Sequence, residues 1–189
     1  MAVILTIGHS SRSIEKFIEL LQTHGVKRVV DIRTVPRSRH NPQFNRDALP
    51  GSLKQAGIGY THLDELGGLR HARKDSPNTG WRNASFRGYA DYMQTPKFAA
   101  AIESLIVMAG KERVAIMCAE AVPWRCHRSL VADALQVRGV EVAHIMNADA
   151  PRPHSITPFA CVDGTSITYP GETETETPPS LSISSPPDL

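Results

Sequence analysis

Residues 2–33 read AVILTIGHSSRSIEKFIELLQTHGVKRVVDIR, and the pattern of this stretch decides the fold. Residues 2–7 are a short apolar run with Val and Ile, the composition of a buried strand. Ile14, Phe17, Ile18 and Leu21 then recur at helical spacing. Ser13 stands where an N-cap is needed and Gly25 where the helix must stop. Val26 to Ile32 forms the next strand. A single helix between two buried strands is the βαβ unit, and it implies that the strands are parallel.

The same alternation continues outward. Asn45 to Gln55 predicts a second helix capped by Asn45, with Pro50-Gly51 kinking or shortening it. Ile58 to His62 reads as a third strand and Tyr89 to Gln94 as a short helix. The polar segment from Leu66-Gly67-Gly68 through Arg87 is too long for a plain connector, so it is either a lid or partly disordered. Thr95-Pro96 opens a clear helix with Phe98, Ala101, Ile102, Leu105 and Ala109 on its apolar face. Val114 to Met117, ending at Cys118, and Val140 to Ile145 are further buried strands. Between them, about Cys126 to Arg138, lies another helix. The expectation is a single α/β domain: an open, mostly parallel sheet with helices on both faces, spanning residues 1–169. Thr165 to Tyr169 is a candidate edge strand, and residues 170–189, rich in Thr, Glu, Pro and Ser, read as a disordered tail.

Composition narrows the setting. Hydrophobic residues are 41% and charged residues 21% of the 189, ordinary for a soluble globular chain. No apolar stretch is long enough to span a bilayer, so no membrane partner is expected. The three cysteines form no secreted disulfide pattern, and a reducing cytoplasm is the expected compartment. A formal charge of +2 does not by itself argue for nucleic acid. Arg33, Arg37 and Arg39 cluster, however, as do Arg70, His71, Arg73 and Lys74.

In an open parallel sheet, ligands bind beyond the carboxyl ends of the strands. The residues that follow each strand are therefore informative. Gly8-His9-Ser10 follows the first, and Asp31-Ile32-Arg33 with Pro36-Arg37-Ser38 follows the second. Cys118 and Glu120 follow the fourth, leading into Cys126-His127-Arg128. A thiol near the positive end of a helix tends toward thiolate, and free N–H groups with Arg128 welcome an anion there. Glu120 and His127 are suited to exchanging protons. His9, Ser10, Asp31, Arg33 and Ser38 are candidate ligand contacts, although Asp31 and Arg33 equally suit a structural ion pair and the serines equally suit turn capping.

On these residues the chain resembles the family known as domain of unknown function 488. The matching motifs include Thr6-Ile-Gly-His-Ser10, Asp31-Ile-Arg33, Pro36-Arg-Ser38 and Asn41-Pro-Gln-Phe44. Leu66-Gly-Gly68, Tyr89-Ala-Asp-Tyr-Met93, Met117-Cys-Ala-Glu120, Trp124-Arg-Cys-His-Arg128, His144-Ile145 and His154 with Thr157-Pro158 extend the match over roughly residues 3–169. The resemblance implies an α/β fold and carries no agreed activity. A strand ending in Asp-x-Arg and a later strand-Cys-loop-Arg-helix also look like rhodanese and cysteine phosphatase domains. Here the loop from Cys118 to Arg128 is longer, lacks glycine and carries Glu120, which argues against a direct copy of either chemistry.

Three functions fit the residues. The first is an enzyme acting on a small anionic or nucleotide-like ligand, with Cys118 or Cys126 as nucleophile, Glu120 and His127 moving protons, and Arg33 and Arg128 holding the anion. The second is a divalent-metal site for zinc or iron, using Cys118, Cys126, His127 and His9. The third is a nucleic-acid-binding module, in which Trp81, Phe86, Tyr89 and Tyr92 stack on bases beside Arg82 and Arg87. The commoner fate of such aromatics is a small core under a loop.

Overall fold

Each strand of the alternating pattern is present in the computed structural model, which describes residues 3–172. The first apolar run forms β1 (Ile4–Gly8), buried along its whole length. Helix α1 (Ile14–Thr23) follows, with the Ser13 side chain accepting from the Lys16 backbone N–H. Gly25 takes φ +68°, the left-handed conformation that costs glycine nothing sterically, and turns the chain into β2 (Arg28–Asp31). With β3 (Gly59–His62), β4 (Val114–Cys118) and β5 (Val142–Ile145), these strands all pair in parallel. A short β6 (Arg152–Pro153) adds an antiparallel edge, and the spatial order is β3-β2-β4-β1-β5-β6. The molecule is thus the open, mostly parallel α/β sheet that the sequence predicts.

Side chains of successive strand residues point to opposite faces, and both faces are covered. Leu5, Ile7, Val29, Ala115 and Met117 pack with α1 and with α2 (Leu49–Gln55). Ile4, Val30, Val114 and Ile116 pack with residues of α3 (Ala84–Tyr92), α4 (Pro96–Ala109) and α5 (Arg128–Gln136). This division positions the site. The chain leaves β1 for the α1 face and leaves the neighbouring β4 for the α5 face. Two adjacent strands whose connections diverge leave a crevice at their carboxyl ends, the place where open α/β sheets bind ligands.

Two expectations are corrected and a third is narrowed. Helix α2 begins at Leu49, because Pro50 fits only its first turn; Asn45 does not cap it and instead accepts from the Ser38 backbone N–H. Thr165 to Tyr169 is not an edge of the main sheet. Its core, β8 (Ser166–Thr168), forms a separate hairpin with β7 (Cys161–Asp163). The segment after Gly68 is held in place by Asp91, which accepts from the Arg73 backbone N–H, the Ser76 hydroxyl and the Asn78 amide. Most of the expected tail, from residue 173 on, lies outside the described residues.

Candidate functional site

The crevice is a cavity of about 490 Å³. His9 from the end of β1, Arg33 and Ser38 from the loop after β2, and Cys118, Glu120, Cys126 and His127 from β4 and its loop all line it. Arg37, Arg125, Val35, Leu69 and Phe86 complete much of the wall. Ser10, Asp31 and Arg128 do not line it, for reasons visible in their contacts.

Cys118 forms part of the floor. Its Sγ lies 2.6 Å from Arg128 Nη1 and 2.6 Å from Cys126 Sγ. Arg128 is fully buried, and three more of its N–H groups go to Thr6 Oγ1 (3.1 Å), the Glu120 carbonyl (2.8 Å) and the Ala121 carbonyl (3.2 Å). It is therefore a counter-ion beneath the thiol, buried away from the cavity and not facing a ligand. Burial pushes the Cys118 thiol up, but the hydrogen bond from Cys126, the Arg128 charge and the other bonds outweigh it, and Cys118 titrates below the ordinary thiol value. Cys126 titrates well above that value, because its proton is held on the Cys118 sulfur and because it is buried. The sequence left both Cys118 and Cys126 open as the thiolate. The geometry sets them apart, since the guanidinium contacts the Cys118 sulfur. Gly8 makes the arrangement possible: a Cβ there would collide with the Glu120 carbonyl oxygen that Arg128 binds.

The two histidines of the cavity are neutral. His127 has Nε2 3.0 Å from the Ile32 carbonyl, which fixes that nitrogen as the donor, and its Nδ1 is 3.6 Å from Cys126 Sγ. Burial brings it down to about 4. His9 donates from Nδ1 to the Ser10 carbonyl at 2.8 Å and stacks on Phe44. Burial also lowers it to about 4, with Arg33 adding to the effect. No hydrogen bond joins the exposed Glu120 carboxylate to His127 among the described residues.

Arg33 and Asp31 form the structural ion pair. Nε and Nη2 of Arg33 meet the two carboxylate oxygens at 2.9 and 2.6 Å, and Tyr60 OH donates to the same carboxylate. Arg33 Nη1 points instead to His9 Nε2 at 3.3 Å, so one edge of the guanidinium stays at the cavity wall. Ser10 sits at φ 51° beside the wall, its backbone N–H bonded to Ala119. The Ser38 hydroxyl accepts from the Asn41 N–H, a turn-capping role at the cavity margin.

A second polar group was not foreseen. Thr6 Oγ1 lies 2.7 Å from His144 Nδ1, His144 Nε2 is 3.0 Å from His154 Nδ1, and His154 Nε2 is 2.7 Å from Asp133. Asp133 also accepts from Thr157 and Tyr169. Since Arg128 donates to Thr6, one continuous hydrogen-bonded row runs from the guanidinium beneath Cys118 to the carboxylate on α5. The signal was present in the sequence: Asp133 is the one acid inside the apolar run Leu130 to Leu135.

The other two functional expectations gain little from the geometry. Among the described residues no three His, Cys, Asp or Glu side chains are grouped to hold a metal ion, and the Cys118 sulfur already faces a guanidinium. Of the aromatics offered as a base-stacking platform, Tyr89 is fully buried. Trp81 packs with Phe86, Phe159 and Tyr169, and Tyr92 lies under Arg70. They form the small core under a loop.

Fold and site together define an α/β protein of the open parallel-sheet class, with a buried cysteine pair at its switch point. The family model described as Domain of unknown function DUF488 matches residues 13–135, and the chain belongs to that family. No curated protein and no solved structure gives a significant match. No helix among the described residues is long and apolar enough to cross a membrane.

Proposed function

We propose that this protein is an enzyme that uses the Cys118 thiolate as a nucleophile toward a small anionic ligand bound in the rim cavity. The observation that carries the reading is the 2.6 Å approach of Arg128 Nη1 to Cys118 Sγ at the cavity floor. A buried cation stabilises the charged sulfur, which is the reactive form. Arg37 and Arg125 line the cavity against the single acid Glu120, and Arg33, whose charge is met by Asp31, still turns an N–H edge to the wall, a lining suited to an anion. Val35, Leu69 and Phe86 offer apolar surface for the uncharged part of a ligand, such as the base of a nucleotide. Glu120 at the mouth is placed to deliver a proton to a leaving group, and neutral His127 to take one from Cys126. Three free cysteines fit a reducing compartment such as the cytosol.

The test is alkylation of Cys118 in a Cys161→Ser background, which removes the exposed thiol. Iodoacetamide should modify Cys118 at pH 7 faster than an unperturbed thiol, and pyrophosphate or AMP should slow the reaction. Arg37→Ala with Arg125→Ala should remove that protection without unfolding the chain. A native protein whose Cys118 resists alkylation, or whose alkylation no anion slows, contradicts the proposal.

A further inference from the structure

We infer that Cys118 and Cys126 form a dithiol centre that exchanges with low-molecular-weight disulfides of anionic thiols, cycling through an internal Cys118–Cys126 disulfide. This deepens the proposed reading, because it rests on Cys118 being the thiolate reachable from the cavity. Three observations converge on it. The two sulfurs are 2.6 Å apart with the Cys126 proton directed at Cys118, so the second thiol needs no large rearrangement to attack the first. His127 Nδ1, free to accept because Nε2 is bonded to the Ile32 carbonyl, lies 3.6 Å from Cys126 Sγ. The cavity over the pair is lined by Arg33, Arg37 and Arg125, which favours carboxylate-bearing ligands over cationic ones.

The steps balance. The Cys118 thiolate attacks one sulfur of RS–SR; the ligand S–S bond breaks and RS⁻ leaves with the electron pair. Cys126 passes its proton to His127 Nδ1, and its sulfur attacks Cys118 Sγ in the mixed disulfide. The second RS⁻ leaves and takes that proton. The ligand disulfide is reduced to RS⁻ and RSH, and the protein dithiol is oxidised to a disulfide. Oxidation removes the negative charge facing Arg128, a buried cation that forms no ion pair with a carboxylate among the described residues. The dithiol form is therefore the better stabilised one, and an excess of the same thiol RSH should restore it readily.

The experiment uses the full chain with Cys161→Ser, reduced and then exposed to glutathione disulfide, which is net anionic, or to cystamine, which is net cationic. Mass spectrometry should find a Cys118–Cys126 disulfide, formed at least about tenfold faster with glutathione disulfide at low salt. Adding Cys126→Ser should trap the glutathione adduct on Cys118. Absence of the internal disulfide in the Cys161→Ser chain overturns the dithiol assignment, and equal rates with both reagents overturn the anionic ligand class. If Cys118 is still alkylated by iodoacetamide in that failed case, the nucleophile reading survives alone; if it is not, both fall.

Discussion

The guanidinium of Arg128 lies against the sulfur of Cys118 at 2.6 Å, joining the first residue of α5 to the last residue of β4. Neither group touches bulk water to any extent. A buried cation of this kind costs desolvation energy, which its anionic partner and its hydrogen bonds must offset. Arg128→Met should therefore destabilise the chain by about 3 kcal/mol in urea unfolding and move alkylation of Cys118 to higher pH. Arg128→Lys, keeping the charge, should shift the alkylation profile less. The sign for the native protein follows from the depressed Cys118 value. Its contribution to stability is complete above the unfolded thiol value near 8.5 and is lost as pH falls through the folded value. An unchanged alkylation profile in Arg128→Met would remove the counter-ion role.

How much of this was legible in the sequence depends on the range of each signal. Ser13 and Gly25 bracket α1, and Thr95-Pro96 opens α4, because caps act within one turn. The convergence of His9, Arg33, Cys118 and His127 on one cavity was legible too, since a parallel sheet forces the ends of its strands to one rim. Which cysteine carries the charge was not. It depends on where the long Arg128 side chain ends, and the sequence therefore left Cys118 and Cys126 both open. The strand at Thr165 to Tyr169 was read, but its partner β7 was not, because a strand of three exposed residues carries no periodic signal.

Acid should destabilise the fold before carboxylates titrate. His9 and His127 are lowered to about 4 and His144 to about 3, burial being the main cause in each. In the unfolded chain they bind protons below about 6.5, whereas in the fold they stay neutral. The unfolded state therefore gains protons first, and stability falls as pH drops from about 6.5 toward the folded values. Each histidine contributes at most a few kcal/mol to that loss, His144 the most because it is lowered furthest. Urea midpoints at pH 7 and pH 5 should differ clearly, and His144→Gln should reduce the difference. Equal midpoints would show that the rings are not neutral in the fold.

Two glycines hold the cavity open in different ways. At Gly8 the obstacle to a Cβ is backbone, the Glu120 carbonyl that Arg128 binds. Gly8→Ala should therefore cost more than about 3 kcal/mol, because neither chain segment can yield cheaply. At Gly68 the obstacle is a side chain: a Cβ would stand 2.5 Å from His127 Nδ1. Gly68→Ala should destabilise less but push the ring away from Cys126. Slowed formation of the Cys118–Cys126 disulfide, with near-native alkylation of Cys118, is the expected signature.

Leu69 and Asn83, at the two ends of a segment with little regular structure, form one wall of the cavity together with Ser85 and Phe86 from the first turn of α3, and one carboxylate ties that segment to α3. Asp91 is almost fully buried and accepts at 2.8 Å from the Arg73 backbone, 2.5 Å from the Ser76 hydroxyl and 2.7 Å from the Asn78 amide. Burial alone would raise it, but those bonds outweigh the burial and hold it below the usual carboxylate value. Asn78 in turn accepts from the Tyr169 N–H, tying the segment to the chain just past β8. Asp91→Ala leaves these donors without their acceptor, at a cost of about 2 kcal/mol, and frees the chain between residues 69 and 83. Limited proteolysis should then cut within that span about tenfold faster, and protection of Cys118 by AMP should weaken because one wall of the cavity is no longer fixed. If Asp91→Ala is cut no faster there, the segment owes its order to something other than this carboxylate.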